Sequence, residues 1–175
     1  MKRKQRILIA GIGNIFLGDD AFGSEVAREL MQLSWPEGVN VSDFGIRNYD
    51  LAYALTDGFD AAILVDAASR GGRPGTVYLI EPTVSEMDEG RKGVADAHSM
   101  NVVSVLQMAR SLGGEICKIY LVGCEPASLE TEDGRLGLSE AVRAAVPQAI
   151  GMIQYLINDF LCEEQSVIQN ENRRR

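Results

Sequence analysis

The stretch Arg6-Ile7-Leu8-Ile9-Ala10 leads directly into Gly11-Ile12-Gly13-Asn14. An unbroken apolar run of this length is the mark of a strand covered on both faces. Two glycines and an asparagine behind it make the turn. Over residues 20–33 the pattern changes: Phe22, Val26, Leu30 and Leu33 recur at spacings of three and four. That is the period of an amphipathic helix. A buried strand, a glycine turn and a helix form the opening unit of an α/β sheet.

The same alternation continues along the chain. Residues 39–44 alternate like a short strand, and residues 51–55 fit a short helix. Residues 61–65 are a second fully apolar strand, which ends at Asp66. Ser69-Arg70-Gly71-Gly72-Arg73-Pro74-Gly75 is turn chemistry. Residues 76–80 then read as a strand, and the polar stretch 82–96 as a mobile excursion. A helix beginning near His98 closes at Gly113-Gly114, a left-handed C-terminal cap. Residues 116–122 are the last strand, and a loop follows to Gly137. Ser139 caps a short helix, and Pro147 fits the first turn of a further helix running to about residue 161. The expected architecture is a three-layer α/β fold. Its sheet is twisted and mostly parallel, with about five strands and helices on both faces. The strand at 76–80 follows its predecessor without a helical crossover, so it is expected to run antiparallel to that predecessor. Residues 1–162 read as a single domain and 163–175 as a polar, flexible tail.

Composition narrows the function. The chain has 175 residues, with 17 Lys plus Arg against 25 Asp plus Glu, a formal charge of −8. Nucleic-acid binders present a basic face, so no nucleic-acid partner is expected, nor adhesion to anionic lipid. Lys2, Arg3, Lys4 and Arg6 before an apolar stretch imitate a secretory leader. Asn14 interrupts that stretch, Asp19 and Asp20 follow it, and there is no small-x-small cleavage site. No run approaches the roughly 20 apolar residues of a membrane span. A cytoplasmic protein with no membrane partner is therefore expected. Cys117, Cys124 and Cys162 form no CxxC pair and read as packing residues. The single histidine, His98, excludes sites that need two or three imidazoles.

Ligands of open α/β sheets bind outside the carboxyl ends of the strands. Asn14, Asp19 and Asp20 follow the first strand, Asp66 ends the third, and His98 starts the helix before the last. Two carboxylates and an imidazole on one rim would make a mixed oxygen and nitrogen site for nickel, zinc, manganese or iron. Each residue also has an ordinary reading. Asp20 is a good helix cap, Asp66 could bond loop amides, and His98 could be a cap or a surface residue. Rival motifs are incomplete. Gly11-x-Gly13 hints at a dinucleotide fold, but Phe16 stands where the third glycine belongs. There is no phosphate-binding GxxxxGK[ST] loop and no GxSxG elbow.

The run Gly11-Ile12-Gly13-Asn14-Ile15-Phe16-Leu17-Gly18-Asp19-Asp20-Ala21-Phe22-Gly23 resembles the N-terminal signature of nickel-iron hydrogenase maturation endopeptidases. Leu64-Val65-Asp66-Ala67, Asp96-Ala97-His98 and Leu121-Val122-Gly123-Cys124-Glu125-Pro126 continue the resemblance in order and spacing, over roughly residues 6–160. The resemblance implies a five-stranded twisted sheet between helices. It implies an endopeptidase that removes the C-terminal extension of a hydrogenase large-subunit precursor after nickel insertion. It implies Asp20, Asp66 and His98 as both metal contacts and catalytic residues. The metal would be nickel carried by the substrate, with no permanent cofactor, and the nickel-loaded precursor would be the partner of a monomeric peptidase. A non-cleaving nickel checkpoint or chaperone for the same precursor is the alternative. Many members carry Asp-Gly-Gly-Thr after the second strand, whereas this chain has Asp43-Phe44-Gly45-Ile46. That difference points to a hydrogenase of another subgroup.

Overall fold

The computed structural model describes residues 4–82, 99–113, 117–129 and 136–172. Strand β1 (Ile7–Ile12) is buried at all six positions. It is flanked in parallel by β2 (Val39–Gly45) and β3 (Ala61–Ala67), with Ile7 opposite Val39 on one side and Ala61 on the other. Strand β5 (Lys118–Cys124) extends the parallel sheet, and β4 (Val77–Ile80) closes its far edge, giving the order β2-β1-β3-β5-β4. The mixed sheet agrees with the expected fold class. The antiparallel strand β4 is hydrogen-bonded to β5, not to its sequence predecessor β3. The short 68–76 connection turns the chain round, and β5 occupies the place beside β3.

Side chains of a strand alternate between its two faces, and β1 divides its residues accordingly. Ile7 and Ile9 join a core with Phe22, Val26 and Leu30 of helix α1 (Phe22–Leu30) and with Val142, Ala149, Ile153 and Ile157 of helix α4 (Glu140–Asn172). Leu8, Ala10 and Ile12 join a second core on the other face. There they meet Leu51 and Leu55 of α2 (Asn48–Leu55) and Val102, Val105 and Leu106 of α3 (Ser99–Ser111). The result is three layers with the sheet in the middle.

Three local expectations change. A 3₁₀ turn, Gly18–Ala21, precedes α1, which stops at Leu30, so Leu33 lies beyond the helix and is exposed. The helices expected around Ser139 and Pro147 are one helix, α4, with Pro147 inside it. Pro147 is exposed, while Val142, Ala145 and Val146 before it and Ala149 and Ile153 after it are all buried. Burial on both sides of the proline outweighs the hydrogen bond it removes. The helix continues to Asn172, past the point near residue 161 where the apolar periodicity ends. Residues 83–98, which include most of the expected excursion, lie outside the described residues.

Candidate active site

The carboxyl ends of β1 and β3 meet at one rim. After β1 the chain turns at Gly13, whose N–H donates to Gly45 O at 3.0 Å and whose φ is +137°. A Cβ on Gly13 would lie 1.8 Å from Asp20 O, so only glycine lets the returning turn come this close. Leu17 N–H donates to Asn14 O and Asp20 N–H to Leu17 O, which coils the chain into the 3₁₀ turn. That turn carries Asp19 and Asp20 into the protein, at 3% and 5% exposure. Asp20 does not cap α1, whose N-cap is Ala21. Its Oδ2 accepts the Asn14 N–H at 2.8 Å.

Asp66, at 4% exposure, is the next-to-last residue of β3 and sits opposite Gly123 of β5. Its Oδ1 accepts the Ala67 N–H at 2.8 Å. Burial pushes the Asp66 carboxyl well above its ordinary value of 3.8, and the charge of Asp20 pushes it further. The Ala67 hydrogen bond opposes both. Two buried carboxylates whose charges oppose each other favour a proton or a cation between them. The structure thus brings Asp20 and Asp66 together. His98 lies outside the described residues. Among the described residues, no group of three His, Cys, Asp or Glu side chains is arranged to hold a metal ion.

Several residues at this rim have duties that sequence reasoning does not reach. Asp19 is a structural tie: it accepts from Ala127 N at 2.8 Å, Ser139 N at 2.7 Å and Ser139 Oγ at 3.0 Å. Asp43, the residue a dinucleotide site would have used, accepts from Ser24 Oγ at 2.8 Å and Gly45 N at 3.0 Å. It thereby ties α1 to the end of β2. Glu125, directly after β5, is buried at 4% exposure and gathers donors from the 69–71 turn and from Tyr78. The motif Gly123-Cys124-Glu125-Pro126 is its only sequence signal.

Cys117 and Cys124 do not offer a nucleophile. Burial pushes Cys124 up to about 12 and Cys117 up to about 11, so neither ionises near neutrality. Cys124 packs in the core as expected, whereas Cys162 is exposed. The turns after β1 and β2 expose apolar side chains. Phe16 is 68% and Ile46 69% exposed, Ile15 is exposed beside Phe16, and Tyr49 is exposed in the first turn of α2. Ile46 is one of the two positions that depart from Asp-Gly-Gly-Thr. The other, Phe44, is the extra residue where the β1–β2 register shifts, with Gly11 opposite Asp43 and Ile12 opposite Gly45.

Comparison with known proteins gives a consistent result. Residues 24–155 match the family model described as hydrogenase maturation protease. A Methanocaldococcus jannaschii protein whose name carries the same description is 34% identical over 152 residues, covering 86% of this chain and 96% of the relative. The hydrogenase 2 maturation protease of Escherichia coli is 30% identical over 150 residues, covering 85% and 88%. Among solved structures, the hydrogenase maturating endopeptidase of E. coli superposes with a TM-score of 0.74 at 27% identity, over 89% of this chain and 93% of that one.

Proposed function

This chain belongs to the hydrogenase maturation protease family and is a peptidase, and on that footing we propose that it removes the C-terminal extension of a nickel-iron hydrogenase large-subunit precursor once nickel has been inserted. Asp20, Asp66 and His98 are the proposed contacts to the nickel. The nickel belongs to the substrate, and the peptidase holds no cofactor of its own. The observation that carries the reading is the pair of buried carboxylates at the ends of β1 and β3. A pair of this kind takes up a cation readily, and the precursor supplies one. His98 immediately precedes α3, the helix that leads into β5. That order supports assigning the imidazole to the same rim.

The chemistry is peptide hydrolysis. Water adds to the scissile carbonyl, the C–N bond breaks, and a new carboxylate and a new amine leave. The metal ion supplies Lewis acidity at the carbonyl or water oxygen. A cation beside Asp66 shifts that carboxyl to its charged form, which can then accept a hydrogen bond from the water. Asn14 N–H holds Asp20 in one orientation throughout. A precursor without nickel lacks the ion that completes the site, and this gives specificity for loaded substrate.

The test uses the cognate hydrogenase large-subunit precursor, purified nickel-loaded and nickel-free. Intact mass after mixing is expected to show loss of a C-terminal peptide from the loaded form alone. His98→Ala is expected to remain folded and to leave the precursor whole. Cleavage of both forms would overturn nickel sensing. Nickel-dependent association without any mass loss would replace cleavage with a checkpoint role.

A further inference from the structure

Among the described residues, Glu125 is the most heavily hydrogen-bonded buried side chain that the proposed chemistry leaves unused. Its Oε2 accepts from Arg70 N at 2.8 Å and from the Tyr78 hydroxyl at 2.9 Å. Its Oε1 accepts from Gly71 N at 3.2 Å and Ser69 Oγ at 3.4 Å. The backbone repeats the pattern: Glu125 N donates to Thr76 O, and Gly75 N donates to Glu125 O, each at 2.8 Å. One residue therefore grips both ends of the connection between β3 and β4.

That connection begins where Asp66 ends. Ala67 N–H donates to the Asp66 carboxylate, and Ala68 N–H donates to Cys124 O at 2.8 Å. Ser69, Arg70 and Gly71 then donate to Glu125. Every residue from 67 to 71 is thus hydrogen-bonded either to Asp66 or to the segment 124–125. A buried anion costs solvation and is a poor means of stability alone. Four donors arranged round it give orientation, because a charge-assisted hydrogen bond is strong and directional. Burial pushes the Glu125 carboxyl upward, yet the Arg70, Tyr78, Gly72 and Gly71 hydrogen bonds together hold it below its ordinary value of 4.5.

We propose that Glu125 is a positioning residue: it fixes the 67–71 segment and so sets the orientation of the Asp66 carboxylate toward the substrate. This rests on the peptidase reading of Asp66 given above. Glu125 does not touch substrate. Its effect falls on turnover rather than on binding, since the exposed apolar residues of the rim lie on other loops.

Steady-state cleavage of the nickel-loaded precursor, in excess over enzyme and followed by intact mass, is the first arm. Glu125→Ala is expected to lower kcat about 30- to 100-fold, the size of effect a misplaced catalytic group produces, with KM within about twofold of wild type. Glu125→Gln keeps an acceptor oxygen and is expected to stay within about tenfold of wild type. Tyr78→Phe removes one donor and is expected to cost about two- to fivefold. The second arm is amide hydrogen exchange on the free proteins, which needs no precursor. Glu125→Ala is expected to speed exchange at Ala67 and Ala68 by about tenfold or more while Leu64 is unchanged. A folded Glu125→Ala with wild-type kcat overturns the proposal, as does unchanged protection at Ala67 and Ala68 in Glu125→Gln or Tyr78→Phe alongside a full loss of kcat. If wild-type protein leaves the loaded precursor uncut, the peptidase reading fails by itself, and the exchange arm alone decides whether Glu125 orders the Asp66 segment.

Discussion

Asp19 and Asp20 are neighbours in the chain with opposite duties. Asp19 turns inward and accepts three hydrogen bonds, from Ala127 and Ser139. Asp20 turns to the rim beside Asp66. Asp19→Ala removes the shared acceptor of Ala127 and Ser139 and is expected to cost about 3 kcal/mol, a fall in Tm of about 6–12 °C for a chain of this size. Thermal denaturation checks it. Asp66→Asn is expected to do the reverse: it removes one of two opposed buried charges, abolishes processing, and raises stability at pH 7 by about 1 kcal/mol. The sign follows from linkage. Asp66 holds its proton more tightly folded than unfolded, so its contribution is present below 3.8 and is lost as pH rises through the higher native value. The gap between variant and wild type should therefore widen from acid to neutral pH, and a gap that narrows would refute the assignment. Glu125 has the opposite sign. Its native value is depressed, so its contribution is present above 4.5 and is lost as pH falls further, and Glu125→Gln should match wild type most closely in acid.

At the scale of elements, packing explains where sequence reading succeeds and where it stops. Strands β1 and β3 are legible because full burial leaves an unbroken apolar run. The partner of β4 is not legible, because turn residues announce a reversal without naming the strand that receives it. Pro147 reads as a helix start because a proline signals a boundary, while the burial that carries α4 through it is tertiary. Glycines divide in the same way. A Cβ on Gly23 would lie 2.0 Å from Val65 O and 2.2 Å from Ile12 O, so α1 reaches the sheet only with glycine there. Gly23→Ala is expected to lose about 3 kcal/mol or more, or to prevent folding. Gly151, inside α4, faces open space: a methyl group there would meet nothing within 4 Å. Gly151→Ala is therefore expected to gain about 0.5–1 kcal/mol. Urea denaturation of both variants provides the comparison.

Across the whole molecule, the sheet separates two cores and its middle strands are the best protected. Native-state hydrogen exchange should find the slowest amides in β1 and β3, around Ile9 and Ile63, and faster exchange along the edge strand β4. The acids of the site are readable because topology sends strand ends to one rim. Their supports are not, because Asp19 meets its partners 108 and 120 residues further along the chain and Glu125 meets the 69–71 turn from more than 50 residues away. No local pattern encodes such distances. They also order events during synthesis. The turn that carries Asp20 leaves the ribosome well before the anchor of its neighbour Asp19 at Ser139, which lies 120 residues further along. A chain still being made holds the acids without their bearing. Competence comes only with α4, so a copy that stops short of it has no aimed carboxylates with which to cut.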